Sequence, residues 1–122
     1  MSTVTATAGN FRQTVSDNGI VLVDFWADWC GPCKMFAPVF EAASEKHDDV
    51  VFAKVDTEAE QQLAAEAQIR SIPTLMAFRD GILVFNQAGA LPSESLEELI
   101  TAVRDLDMDD VRAKLAGAEQ SG

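Results

Sequence analysis

Two hydrophobic periods alternate along this chain of 122 residues. Short runs that are apolar on both faces give way to stretches whose apolar residues recur every three or four positions, and this interleaving predicts an α/β domain. Asn10 with Gln13 three residues on, and Phe11 and Val15 one turn apart, predict a short capped helix that ends at Asp17-Asn18-Gly19. Ile20-Val21-Leu22-Val23-Asp24-Phe25-Trp26 then reads as a central strand, covered by helices on both sides. Phe36, Val39, Phe40 and Ala43 fall at helical spacing, with Pro38 inside the stretch implying a kink rather than a stop.

Val50 to Val55 reads as a second buried strand. Thr57 and Glu60 match a capping box for a helix carrying Leu63, Ala64 and Ala67. Thr74 to Arg79 and Ile82 to Asn86 are strands joined by Asp80-Gly81, a strong hairpin signal. Leu96, Leu99, Ile100 and Val103 define the apolar face of a last long helix, with Ser93 or Ser95 as its cap. Beyond it, Met108, Val111 and Leu115 extend or follow that helix, and Ala116 to Gly122, small and polar, is expected to fray.

Composition narrows the function classes. The 48% hydrophobic content supplies one core, and the length fits one domain. A formal net charge of -11 argues against nucleic acid and anionic membrane surfaces as partners. The longest apolar run, Ile20 to Ala27, is far shorter than the roughly 20 residues that cross a bilayer and already contains Asp24. Met1 to Ala6 lacks the basic and apolar regions of a secretory signal, so the expected compartment is the cytoplasm. Two cysteines there are not expected to serve as a permanent staple.

Those cysteines stand in Trp29-Cys30-Gly31-Pro32-Cys33-Lys34, where a buried strand gives way to a helix. The unpaired amides and positive end of a helix N-terminus favour thiolate over thiol, and the thiolate is the attacking species. Cys30, nearer the loop in an exposed turn, is the expected nucleophile. Cys33, a turn into the helix and shielded, is placed to resolve a mixed disulfide. Zinc needs about four ligands, and two cysteines with the single histidine, His47, fall short, so no metal is expected. His47 lies in the polar stretch Glu45 to Asp49 and reads as a solvated loop residue.

Val23-Asp24-Phe25-Trp26-Ala27 followed by Trp29-Cys30-Gly31-Pro32-Cys33-Lys34 resembles the active-site segment of the thioredoxin family. Lys54-Val55-Asp56, Ile72-Pro73-Thr74-Leu75 and Gly89-Ala90-Leu91 carry the likeness from about residue 10 to 106. The resemblance implies a mixed β-sheet flanked by helices on both faces, with residues 1–107 as the thioredoxin domain and 108–122 as a partly helical or disordered extension. It also implies a monomeric disulfide reductase without a bound cofactor, served by a thioredoxin reductase and acting on oxidised client proteins. Pro73 is expected to be cis and to face the cysteines. Trp29, Gly31, Pro32, Ile72, Pro73, Gly89 and Ala90 correspond to the collar that receives an extended substrate. Ser71 stands where many members have glycine, and there is no tyrosine. A binding module whose dithiol merely switches affinity is the rival reading, and catalytic turnover separates the two.

Asp24 is costly in an apolar strand unless paired or neutral, and Lys54, also in an apolar strand, suggests a partner. In the family the matching aspartate lies behind the second cysteine and relays its proton. Burial raises a carboxyl pKa, which suits Asp24 as a base toward Cys33, while Lys54 opposes that rise. Trp26 reads equally well as core packing beside the active-site helix.

Overall fold

The computed structural model describes residues 2–121. In chain order the elements are β1 (Val4–Thr5), α1 (Phe11–Ser16), β2 (Ile20–Trp26), α2 (Gly31–Lys46), β3 (Val51–Asp56), α3 (Gln61–Glu66), β4 (Thr74–Arg79), β5 (Ile82–Ala88), α4 (Ser93–Arg104) and α5 (Met108–Ser121). The strands form one sheet in the order β1-β3-β2-β4-β5. β1, β3 and β2 run parallel, whereas β4 and β5 are antiparallel to their neighbours.

β2 is central because both of its faces are apolar. Ile20 and Leu22 join Phe52, Leu75 and Ala77 beneath Phe36 and Phe40 of α2 and Leu96 and Ile100 of α4. Val21, Val23 and Phe25 join Ala53, Val55 and Met76 on the other face, against Leu63 of α3 and Phe11 of α1. Phe40 packs between Phe36 and Phe52, so its truncation to alanine would cost about 3–5 kcal/mol through lost transfer energy and a residual cavity. A register shift at Ala77/Phe78 lets the consecutive residues Val84 and Phe85 of β5 both reach the α2/α4 side.

The hairpin turn forms as its sequence requires, with Asp80 (φ 53) and Gly81 (φ 81) both left-handed. α2 continues through Pro38, which lies on its exposed side. The expected caps do not form, because other backbone groups take the same side chains. Asn10 Oδ1 accepts from the Thr7 amide (2.7 Å) and its Nδ2 donates to the Thr5 carbonyl (3.3 Å), so it closes the turn before α1. Thr57 donates to the Trp26 carbonyl (3.0 Å), Glu60 accepts from the Ala8 amide (2.7 Å), and α3 starts only at Gln61. α4 starts at Ser93 after Pro92 without a side-chain cap.

His47 is not a solvated loop residue. It ends α2, its Nε2 meets Glu97 of α4 at 2.8 Å, and Arg104 Nη2 lies 3.2 Å from its Nδ1. It ties the end of α2 to α4 through these contacts. Beyond α4, α5 runs as a separate helix over Met108–Ser121, while Gly122 lies outside the described residues. Asp107 Oδ1 accepts from the amides of Asp109 (3.1 Å) and Asp110 (3.2 Å), an N-cap that the hydrophobic pattern does not mark. Met108 is buried, and Arg112 reaches Asp80 of the hairpin turn at 3.7 Å.

Candidate functional site

β2 delivers the chain to the site, and α2 begins there. Cys30 is extended (φ -88, ψ 113) and caps α2, its Sγ accepting from the Cys33 amide at 3.2 Å. Pro32 lies in the first turn, where a missing N–H costs nothing. The geometry brings the two cysteines together as a disulfide with a Cα–Cα separation of 5.2 Å.

Exposure does not distinguish the two cysteines, contrary to the expectation of an open Cys30. They are 4% and 3% exposed. What separates them is the space each one faces. Cys30 lines a groove of about 480 Å³, and Cys33 lines a smaller cavity of about 210 Å³.

Trp29, Gly31, Pro32 and Ile72 line the groove with Cys30. Trp29 is 69% exposed, and its indole Nε1 donates to Glu58 Oε1 at 2.5 Å. The Ile72-Pro73 bond is cis, and the Ile72 carbonyl oxygen lies 3.6 Å from Cys30 Sγ. Pro73 itself is buried. Its carbonyl accepts from the Gly89 amide at 2.8 Å, and Gly89 adopts φ 106, a conformation disfavoured for residues with a Cβ. Gly89 and Ala90 are exposed, and the Gly89 amide ties this turn to the Pro73 loop.

Asp24 and Lys54 are paired in register across the β2–β3 ladder. Side chains alternate along β2, so Asp24 shares the α2 side of the sheet with Leu22. Asp24 is fully buried, and neither carboxylate oxygen has a hydrogen-bond partner among the described residues. Burial pushes its pKa up to about 7, with the Lys54 charge pulling the other way. Lys54 Nζ sits 5.1 Å from the centre of the Trp26 ring and 4.0 Å from Glu41 Oε1. Trp26 and Lys54 both line the cavity beside Cys33, and the buried Trp26 Nε1 also lacks a partner among the described residues. Trp26 is therefore a wall of this cavity as well as packing for α2.

Sequence reasoning missed several neighbours. Thr57, Ile69 and Arg70 line the groove, and Asp28, Lys34 and Ala37 line the cavity. Lys34 and Asp28 flank the cysteine motif and could have been found there, and Arg70 lies three residues before Pro73. Thr57 and Ile69 arrive through the loops at either end of α3 and carry no signal of their own.

A disulfide capping a helix, open on one side to an apolar groove, within a mixed five-stranded sheet, defines a thiol–disulfide oxidoreductase fold and site. The thioredoxin family model matches residues 2–102. A Streptomyces coelicolor thioredoxin is 56% identical over 115 residues, covering 94% of this chain and 86% of the relative. The Bacillus subtilis thioredoxin is 44% identical over 101 residues, covering 82% and 96% respectively. Among solved structures, a mutant thioredoxin from Halobacterium salinarum matches with a TM-score of 0.80 and 37% identity, over 86% of this chain and 93% of that one. The chain belongs to the thioredoxin family, and its chemistry is protein-disulfide reduction.

Proposed function

We propose that Cys30 is the nucleophile, Cys33 the resolving thiol and Asp24 the base that serves it. The observation that carries this division is that Cys30 lines the groove whereas Cys33 lines the separate cavity that Lys54 also walls. In the reduced protein the Cys30 thiolate, favoured by the Cys33 amide and the positive end of α2, attacks one sulfur of a client disulfide. The client's S–S bond breaks, one client thiolate leaves, and a mixed disulfide holds the client on Cys30. Cys33 then loses its proton toward Asp24 and attacks Cys30 Sγ. The second client thiolate leaves, and the protein retains the Cys30–Cys33 disulfide. The client has gained two electrons, and two electrons with two protons from a thioredoxin reductase restore the dithiol.

Trp29, Gly31, Pro32 and Ile72 receive the extended client segment, while Pro73, Gly89 and Ala90 hold the loop that presents it. Lys54 modulates Asp24. The protein acts as a monomer on oxidised proteins in the cytoplasm, needs no bound cofactor, and comprises a catalytic domain of residues 1–107 with 108–122 appended. No helix among the described residues is long and apolar enough to cross a membrane.

The test is trapping. Cys33→Ser should accumulate a mixed disulfide with a disulfide-bonded client, and Cys30→Ser should form none. Faster alkylation of Cys33 than of Cys30 by iodoacetamide in the reduced protein would reverse the assignment.

A further inference from the structure

Arg70 is the one charged residue lining the groove beside Cys30 among the described residues. Its placement follows from how α3 ends. The Ala67 amide donates to the Leu63 carbonyl (2.9 Å), Gln68 turns left-handed (φ 59), and the Ile69 amide returns to the Ala64 carbonyl (3.0 Å). Ile69 then packs against the core on the α1/α3 side of the sheet, which leaves the next residue, Arg70, exposed at the groove.

The guanidinium has no ion-pair or hydrogen-bond partner among the described residues, although the chain carries 20 acidic side chains against 9 basic ones. The contrast with other arginines is informative. Arg79 donates to the carbonyls that end α4, Arg104 forks onto Asp49, and Arg112 pairs with Asp109, whereas Arg12, also without a partner among the described residues, lines a different cavity beside α1 and α3. Glu58, at the Trp29 side of the groove, is already engaged by the indole. An unengaged guanidinium offers a planar pair of donors suited to a carboxylate.

We infer that Arg70 is a specificity determinant that favours client segments carrying an aspartate or glutamate within a few residues of the attacked cysteine. This rests on the groove being the client site. The overall charge of -11 repels acidic clients at long range, but that repulsion is screened beyond about 10 Å at 0.1 M salt, whereas a contact at Arg70 acts at the docked segment. The residue thus admits acidic segments that the rest of the surface disfavours.

The experiment uses the full chain, dithiothreitol as the regenerating reductant, and three disulfide peptides identical except for Asp, Ser or Lys on both sides of the attacked cysteine. The wild type should prefer the Asp peptide. Arg70→Ala should lower kcat/KM for that peptide about three- to fivefold, mainly through KM, and leave the Ser peptide within about twofold, as expected for a partly exposed ion pair. Arg70→Glu should favour the Lys peptide, Arg70→Lys should restore part of the loss, and raised salt should erase the differences. Equal losses on all three peptides, or no preference in the wild type, would overturn the inference while leaving the reductase reading intact. Failure of the wild type to reduce any of them would instead remove the reading on which it rests.

Discussion

Asp24 and Lys54 face each other across two parallel strands without forming an ion pair: the lysine ammonium lies over Trp26 and toward Glu41, leaving the carboxylate unpartnered among the described residues. Lys54 acts on Asp24 through its field alone, and burial dominates. The site therefore keeps a buried carboxyl whose proton is exchangeable near neutral pH.

Asp24→Asn should stabilise the protein at alkaline pH and slow disulfide reduction. The folded-state pKa, about 7, lies above the unfolded value, so between roughly pH 4 and 7 the native state binds the extra proton and stability falls as pH rises. Above pH 7 the full cost of the ionised group is present. A tenfold change in proton affinity is worth about 1.4 kcal/mol, so a rise from the ordinary carboxylate range to about 7 corresponds to about 4 kcal/mol. Burying an unpaired amide returns about 1–3 kcal/mol of cost, which leaves a net gain of about 2 kcal/mol at pH 8.5 and near zero at pH 5. Urea unfolding at the two pH values measures this, and a gain independent of pH would show that burial does not raise the Asp24 pKa and that the carboxyl is already ionised at pH 5.

Removing the Lys54 charge should raise the Asp24 pKa further, because the ammonium is what lowers it. In Lys54→Gln the acidic limb of the turnover profile should move to higher pH, since the proposed mechanism requires an ionised Asp24 to accept the Cys33 proton. An unmoved profile would mean that Lys54 contributes packing over Trp26 and nothing to the titration.

Glu58 holds Trp29 by its indole, although both residues are exposed. Solvent can replace the lost acceptor in Glu58→Ala, so unfolding stability should change by less than about 0.5 kcal/mol. The freed ring should nevertheless meet a client less well, raising KM for protein disulfides about twofold to threefold, on the order of a weak polar contact, with kcat unchanged. Small aromatic disulfides, which need no extended groove contact, serve as the control. Equal effects on both substrate classes would assign Glu58 to the dithiol rather than to the groove wall.

The strands are legible in the sequence because their signals are local. The seven residues of β2 are apolar on both faces, and Asp80-Gly81 supplies a turn that few other dipeptides favour. The cysteine pair and Asp24 are equally plain, one through spacing and the other through its cost in an apolar run. Caps mislead because Asn10 closes the local turn before α1 instead, and because Thr57 and Glu60 bond to backbone groups brought near by the fold. His47 misleads for the same reason, since Glu97 lies 50 residues away in sequence. Arg70 is marked in the sequence only by lying three residues before Pro73, and its place at the groove follows from the way the end of α3 presents it beside Cys30.

The oxidised protein should be more stable than the reduced one, and the order carries the direction of the chemistry. Folded and unfolded, oxidised and reduced forms make a closed cycle, so any preference of the fold for the disulfide appears equally as extra stability of the oxidised form. A protein that donates electrons must favour its own disulfide when folded more than its unfolded chain does. Here Cys30 and Cys33 are held together by the first turn of α2, so the fold has already supplied the ordering that closing the four-residue ring demands. A chain-entropy estimate for that ring gives about 2 kcal/mol, enough to separate two denaturation curves. The opposing contribution is the Cys33 amide donated to Cys30 Sγ, which strengthens when the sulfur is a thiolate and favours the reduced form. Lys34 follows the motif, Arg70 lines the groove beside Cys30 and Lys54 lines the cavity beside Cys33, but the chain as a whole is strongly acidic, which limits further stabilisation of a thiolate. Guanidinium unfolding of matched samples should therefore place the oxidised midpoint higher. A higher midpoint for the reduced protein would mean that thiolate stabilisation outweighs ring closure, and the chain would then run as an oxidant of client thiols.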